Sequence, residues 1–552
     1  MTKDSDAKDR SVKPLYLTAI AAGLLQYACF FPLNFGFLGW IALVPLLFLV
    51  HSTARPRHIY LAAFVGGLAF YIPALQWMRV AHPAMYATWI FLAIYCALYF
   101  PLGIALLRRM PRVPSLIAVP VVWVGLDYLR MHFPTGFSWL PESVHHDIGF
   151  GWYYLGYTQH DWLAMIQISD LFGVYGVTFV VVLVNTAIFL LLQEWLEIRA
   201  IPVRQIRGAI FAATVLAGSL VYGYVRLDHA AFEPGPRVAL LQCDVAQAVK
   251  IEHGDNLTKH MIGLFRRAVE VSADERPDLV VWPETTFEND WYFVAPGVDR
   301  TTTTEKWQEA MLLGERFAWQ MAGNNTSSLL GLNGLEWDGS GTIWKYNTAL
   351  LLNRDGTVGP RYDKHHLVPM GEYVPLRNTF PWMRNFTPYT HEYSCKPGEV
   401  WTRFPLQADD REFTFGVIIC YEDSDPRLAR HYVQKQEGAS VDFLVNISND
   451  GWFNGTEEHE QHLAICRFRA VECRRSIVRA VNMGISGIID ADGRIVKIPN
   501  DDWSKSKKVA TVVNGIVPID HRESIYADYV RDGLPLVCWL MMLVGLWRGK
   551  PR

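Results

Sequence analysis

Gly416-Val417-Ile418-Ile419-Cys420-Tyr421-Glu422-Asp423 runs a string of β-branched residues into a cysteine followed by acids. Such side chains fit a buried strand. A strand that stops on a cysteine offers that side chain to a pocket at its end, so Cys420 is a candidate nucleophile. A free thiol has a pKa of about 8.5 and is only a few per cent thiolate at neutral pH. It needs a base and a positive charge, and the rest of the chain must supply them. The competing reading is a small buried hydrophobe, the commonest role of a free cysteine.

On either side of this stretch, from Arg237 to about Pro518, short β-branched runs alternate with polar, helix-like segments. Strands are predicted at Val238–Cys243, Leu279–Trp282, Leu329–Leu332, Thr348–Leu352, Phe415–Ile419, Phe443–Ile447, Ile477–Val481 and Gly487–Ile489. Helices are predicted around Leu257–Val271, Glu305–Gln320, Asp425–Glu437 and His459–Arg474. This is the pattern of sheets covered by helices. Asn353-Arg354-Asp355-Gly356 and Asp490-Ala491-Asp492-Gly493 read as tight turns between strands.

Two more strand ends carry chemistry. Val280-Val281-Trp282-Pro283-Glu284 finishes on an acid behind a stiffening proline, and Arg361-Tyr362-Asp363-Lys364 presents an amine. A carboxylate, an ammonium and a thiol are the parts for acyl transfer through a thioester. Glu284 takes the thiol proton, and Lys364 holds the thiolate and the tetrahedral oxyanion. Alone, either residue reads as solvated surface.

Composition divides the chain. Its 552 residues exceed one ordinary domain, and at 51% hydrophobic and 19% charged they suggest membrane spans. A net charge of −3 implies no nucleic-acid partner. The eight cysteines show no CxxC pair, so neither a zinc site nor a dense disulfide framework is expected. His145 and His146 lack further ligand spacing and read as a solvated loop. Seven apolar runs lie at roughly 15–31, 37–50, 59–78, 86–107, 115–129, 171–192 and 206–224, and an eighth at 534–547. Lys and Arg gather in alternate connections. Positive-inside logic therefore puts the tail 1–14 in the cytoplasm, the domain after the seventh span outside, and the tail 548–552 back in the cytoplasm. The first run has no small-x-small site after it and reads as a span, not a cleaved leader. Asp127, in the fifth run, faces Arg130 one turn on. The pair either lines a route for lipid or snorkels to the interface. Trp139, Trp152, Tyr153 and Tyr154 suit the headgroup zone.

Phe380-Pro381-Trp382-Met383 and Trp291-Tyr292-Phe293-Val294 are apolar clusters in polar surroundings. They are either arm tips touching a bilayer or plugs in the domain core. Cys466 and Cys473 lie two turns apart on one helix, about 10 Å, too far for a disulfide. The arginines around them (467, 469, 474 and 475) meet either lipid phosphates or the acids Glu457, Glu458, Glu460 and Glu472.

These residues resemble the carbon–nitrogen hydrolase (nitrilase) superfamily, with its Glu-Lys-Cys triad and α-β-β-α sandwich. The resemblance is closer to one membrane-bound branch, the apolipoprotein N-acyltransferases. It is carried by KHHLVPMGEYVP (364–375), VIICYED (417–423), NISNDGWF (446–453), QHLAICRFRAVECRRSIVRAVNMGISGIID (461–490) and DLFGVYGVTFVVVLVN (170–185). It implies a multi-pass α-helical membrane domain (15–226, about seven helices) plus an α/β nitrilase-like sandwich (237–518) and a C-terminal span (534–547). The implied triad is Glu284, Lys364 and Cys420. Glu372 and Glu422 match the family's supporting acids, and Tyr421 is expected beside the acyl chain. Glu372 would keep Lys364 charged and aimed. Glu422 would orient a backbone turn, receive the incoming amine or form a structural ion pair. Phe380 and Trp382 would be the lipid-contacting arm.

The implied reaction moves an acyl chain from a membrane phospholipid, through a Cys420 thioester, to the α-amino group of a diacylglyceryl-modified lipoprotein cysteine. The implied setting is a monomer in the bacterial inner membrane, with the catalytic domain periplasmic and no cofactor or metal. Two other readings stand beside it: a membrane-tethered amidase or nitrilase that uses water as acceptor, and a transporter or scaffold whose outer domain only binds. The sequence departs from the family at Gln242-Cys243-Asp244-Val245-Ala246-Gln247, where Gln-Gly-Asn-Ile-Pro-Gln is usual. It also departs at Ile251, where a tryptophan is expected, at Asp127, where Glu is usual, and in an insertion at 141–154.

Overall fold

The computed structural model describes residues 12–134, 149–247, 254–375, 380–382, 393–435 and 438–549. His145, His146, Trp139, Ile251, Met383 and the first part of the 141–154 insertion lie outside them. The chain forms two compact units, Met1–His229 with Ser524–Arg552, and Ala230–Glu523.

The first unit is helical. Its helices Lys13–Ala28, Val44–His51, Pro56–Ala74, Met85–Ala97, Tyr99–Arg108, Ser115–His132, Ser169–Ile198, Val203–Asp228 and Gly533–Gly549 fall on the eight apolar runs. Among the described residues, three helical stretches are long and apolar enough to cross a membrane: Met85–Arg108, Ser169–Ile198 and Val203–Asp228. Small residues let helices meet closely. A Cβ placed on Gly23 would sit 2.1 Å from the carbonyl oxygen of Gly66, so Lys13–Ala28 and Pro56–Ala74 touch backbone to backbone.

Two expectations for this unit are corrected. Asp127 and Arg130 do pair, at 3.2 Å, but neither snorkels nor lines an opening. Both are buried. Arg130 also donates to the carbonyls of Phe150 and Trp152 at 2.9 and 2.7 Å, which ties the helix Ser115–His132 to the chain returning from the insertion. Trp152, Tyr153 and Tyr154 are likewise buried, not spread along a headgroup belt. Trp152 packs on Trp77 with ring centroids 5.1 Å apart, and the indole N–H of Trp77 donates to the Tyr153 hydroxyl at 2.9 Å. Hydrogen bonds available inside the unit outweigh the pull of the interface.

The second unit holds two sheets. Its strands are β1 (Glu233–Gln242), β2 (Leu279–Val281), β3 (Trp291–Val294), β4 (Ser327–Trp337), β5 (Ile343–Leu352), β6 (Val358–Asp363), β7 (Arg403–Ala408), β8 (Arg411–Ile419), β9 (Phe443–Asn449), β10 (Ser476–Asn482), β11 (Gly487–Ile489), β12 (Ile495–Lys497) and β13 (Thr511–Ile519). One sheet runs β13-β1-β2-β4-β5-β6, with β3 pairing β4, and the other β12-β11-β10-β9-β8-β7. The parallel strands β8, β9 and β10 are mostly apolar runs, interrupted by Asn446 in β9 and Arg479 in β10, because both of their faces are covered. The sheets pack face to face. A Cβ on Gly515 of β13 would lie 2.5 Å from Ile488 of β11. Helices Gly254–Val269 and Glu305–Ala322 cover the first sheet through Met261, Leu264, Phe265, Ala318 and Met321. Helix Glu458–Cys473 packs on β10 of the second. The result is an α-β-β-α sandwich.

All eight predicted strands are present, and both tight turns join antiparallel neighbours. The helix expected over Asp425–Glu437 is only Pro426–His431. Trp291–Val294 is not an arm tip. It is strand β3, with Trp291 buried 5.8 Å from Phe287 and Tyr292 edge-on to Trp307. Cys466 and Cys473 are buried free thiols. The arginines beside them are committed within this unit: Arg469 pairs with Glu472 at 2.7 Å, Arg474 with Asp492 at 2.9 Å, and Arg467 and Arg475 donate to backbone carbonyls.

Candidate active site

Glu284 leaves the end of β2 on a tight path. The loop lies flat on β4 because residue 331 is glycine: a Cβ there would come within 2.2 Å of the Pro283 oxygen and 2.7 Å of the Glu284 Cα. Lys364 follows β6, and its backbone N–H donates to the Asn347 carbonyl at 2.9 Å. Cys420 opens a 3₁₀ turn, Cys420–Ser424, at the end of β8. Its φ of +52° is costly for a residue with a side chain. Thr285, after Glu284, and Met370, near Glu372, also have positive φ, +48° and +65°. Each of the three loops that bear the candidate residues thus holds a non-glycine residue in the left-handed region.

These loops bring the predicted groups together. The Lys364 ammonium, itself buried, lies 3.2 Å from Glu284 Oε1 and 2.9 Å from Glu372 Oε2. Burial alone would lower its pKa, but Glu284, Glu372 and Cys420 overcome that and hold it well above the ordinary lysine value. Lys364 is therefore a fixed cation. Glu284 Oε2 accepts the Asn449 backbone N–H at 2.9 Å. Glu372 Oε2 also accepts the Val368 N–H at 2.7 Å. Cys420 interacts electrostatically with Glu284 and Lys364. Burial, then Glu284, push its thiol up to about 12, while Lys364 and His462 pull it down. At neutral pH the resting sulfur is protonated, so attack needs a base at hand.

Of the roles expected for Glu422, its contacts match that of a backbone anchor. Fully buried, it accepts the N–H groups of His365 at 2.8 Å, His366 at 3.0 Å and Ile419 at 2.6 Å, and the Tyr362 hydroxyl at 3.0 Å. It joins the segment after Lys364 to the residue before Cys420, and it makes no ion pair in the described structure. Tyr421 packs edge-on to His366, ring centroids 5.3 Å apart. Phe380 and Trp382 are 44% and 56% exposed, with rings 6.1 Å apart.

Sequence reasoning missed Asn347. Its amide nitrogen donates to both Glu284 Oε1 and Glu372 Oε1, each at 2.6 Å. The available signal was an asparagine inside the buried run of β5, since a buried polar group is the informative exception. It also missed how the departure at Cys243 is accommodated. The thiol donates to Asn482 Oδ1 at 3.0 Å, and Asn482 donates to Asn449 Oδ1 at 2.7 Å. Asp450, Glu458 and His459 cluster closely enough to suggest a cation. However, His459 Nε2 accepts the Gly455 N–H at 2.7 Å, which puts its proton on Nδ1, and Arg479 already sits 3.2 Å from Asp450. This donor set does not fit a metal.

Comparison with known proteins agrees with the division into two units. Residues 22–187 match the family model of the apolipoprotein N-acyltransferase N-terminal domain, and residues 237–516 match that of the carbon-nitrogen hydrolases. The chain is 31% identical over 526 residues to an apolipoprotein N-acyltransferase of Geobacter metallireducens, covering 93% of this chain and 91% of the relative. It is 30% identical to one of Rhodopirellula baltica, covering 84% and 86%. Among solved structures, Saccharomyces cerevisiae Nit3, a member of the nitrilase superfamily, is 19% identical with a TM-score of 0.35, over 55% of this chain and 96% of its own.

Proposed function

That this chain belongs to the apolipoprotein N-acyltransferase family is the premise from which we propose its reaction. The enzyme is an acyltransferase and a membrane protein. Its acyl donor is a membrane phospholipid, and its acceptor is the α-amino group of a diacylglyceryl-modified cysteine at a lipoprotein N-terminus.

The chemistry runs in two halves. Glu284 takes the Cys420 proton as the thiolate attacks the ester carbonyl. Lys364, permanently charged, balances the oxyanion. Collapse breaks the ester C–O bond, the glycerol oxygen takes the proton from Glu284, and a lysophospholipid leaves. In the second half the lipoprotein amine attacks the thioester carbonyl and gives a proton to Glu284. The C–S bond breaks, and that proton returns to the sulfur. Glu372 and Asn347 hold the base and the cation in register throughout.

One observation carries this reading. A buried ammonium is shared by two carboxylates at 3.2 and 2.9 Å, beside a cysteine on a strained strand end. Eight crossings, with residues 237–518 on the outer side of the bacterial inner membrane, complete the proposal. Phe380 and Trp382 then form an arm that meets the lipid surface.

Mass spectrometry of the purified full chain after incubation with phospholipid tests it. An acyl mass is expected on Cys420, and it should move to an added diacylated lipopeptide. Free fatty acid without acylated lipopeptide would point to the water-using hydrolase. No adduct on Cys420 would reject thioester chemistry altogether.

A further inference from the structure

Behind Cys420 lies a closed ring of buried charges that the reaction above does not use. His462, on the helix Glu458–Cys473, puts Nε2 2.9 Å from Asp423 Oδ1 and Nδ1 3.3 Å from Asp450 Oδ1. Arg479, on β10, puts Nη1 3.1 Å from Asp423 Oδ2 and Nη2 3.2 Å from Asp450 Oδ2. Two cations and two carboxylates therefore alternate around the ring, each cation bridging both acids. All four side chains are buried.

The acids belong to the two segments that must stay in register for acyl transfer. Asp423 sits in the same 3₁₀ turn as Cys420. Asp450 follows Asn449, whose backbone N–H holds Glu284 Oε2 at 2.9 Å. We propose that His462 and Arg479 are positioning residues, clamping the nucleophile's turn to the segment that grips the general base. This deepens the reading above and rests on it.

As an imidazolium, His462 presents an N–H to each of the two aspartates, whereas a neutral imidazole has only one N–H. The surroundings agree. Burial would lower the His462 pKa, and Arg479 adds to that, but Asp423 and Asp450 hold it well above the usual histidine range. Burial would raise Asp450, but His462 and Arg479 hold it well below the usual carboxylate range. Glu458, the third acid at His462 (3.3 Å), is pushed up by burial and by Asp450. Further contacts fix the ring in place. Ser448 donates to Asp450 at 2.6 Å, and Arg469 donates to the Asp423 carbonyl at 3.2 Å. Charges that act as one unit predict non-additive losses.

The test is single-turnover acylation of Cys420 by phospholipid in the full chain, read by mass spectrometry over a range of lipid concentrations, with thermal unfolding in parallel. His462→Gln and Asp450→Asn are each expected to cut the maximal rate at least tenfold, with the half-saturating lipid concentration unchanged within twofold. The double variant should lose no more than the worse single one. A folded His462→Gln that acylates at the wild-type rate would overturn the clamp, as would a loss confined to half-saturation or one that only tracks the folded fraction. Should His462→Gln not fold, Arg479→Lys decides. It keeps the charge but cannot span both carboxylates, so slow acylation supports the clamp and a wild-type rate refutes it. Wild-type protein that never acquires an acyl group would sink the acyl-transfer reading itself, a result distinct from any of these.

Discussion

The side-chain amide of Asn347 lies 2.6 Å from Oε1 of Glu284. Its second N–H goes to Glu372 at the same distance, so one neutral amide and one ammonium, that of Lys364, serve two carboxylates between them. A hydrogen bond to a charged group contributes about 1.5–3 kcal/mol, equivalent to roughly 10–150-fold. Asn347→Ala should slow Cys420 acylation by about that factor. Asn347→Asp should slow it further, because it replaces two donors with a third negative charge. Single-turnover acylation measures both, and an aspartate variant faster than the alanine one would contradict this account.

Glu284 has opposite effects on two reactions of one sulfur. As the second cause raising the Cys420 thiol to about 12, after burial, it suppresses the resting thiolate. As the base, it creates that thiolate when substrate is present. Glu284→Gln should therefore abolish acyl transfer while speeding alkylation of Cys420 by iodoacetamide at pH 8. In the wild type the alkylation rate should climb about tenfold per pH unit through pH 9, because the thiolate fraction does. Peptide mapping after timed alkylation reads both. Slower alkylation in the variant would mean that the carboxylate stabilises the resting thiolate instead.

Phe380 and Trp382 are aromatic residues exposed beside one another. Replacing both with serine should weaken turnover of vesicle phospholipid at least several-fold and leave attack on a water-soluble ester nearly unchanged. Burying an aromatic side chain in an apolar phase is worth about 1.5–3 kcal/mol. Equal losses on both substrates would place the pair in the chemistry and not in an arm.

How much of this was legible beforehand depended on periodicity. The strands β8, β9 and β10 announced themselves because both faces are buried and their runs are rich in β-branched residues. Strands β3, β6, β7, β12 and β13 carry proline, charge or too few residues, and their pairing comes from tertiary neighbours. Glu284, Lys364 and Cys420 could be singled out as candidates because each follows a strand and sits in a motif. Asn347 could not, since its role depends on two acids far away in the chain. Arg130 and Trp152 were misread for a similar reason: an interface preference says nothing about partners that folding brings within 3 Å.

Glu422 should leave a mark on stability as a function of pH. Burial raises its carboxyl to about 7, against opposition from the Ile419, His366 and His365 N–H groups and from Lys364; the ordinary value is 4.5. Between those two pH values the folded chain keeps a proton that the unfolded chain has lost. Stability from this group is therefore greatest below about 4.5, falls as pH rises towards 7 and is flat above. At about 1.4 kcal/mol per pKa unit the fall is on the order of 3 kcal/mol. Glu422→Gln is neutral at every pH and lacks this slope. Its amide can accept at one end only, so either the Ile419 N–H or the His365–His366 pair loses its acceptor, at a cost of about 1–3 kcal/mol. The variant should therefore be clearly less stable than wild type at pH 5, and the gap should narrow by pH 8. Thermal unfolding of both chains in detergent from pH 5 to 8 measures this. A gap that widens with pH would mean that the three N–H groups, not burial, set the charge of this glutamate, and that the tie between the Lys364 and Cys420 segments is strongest when it is ionised.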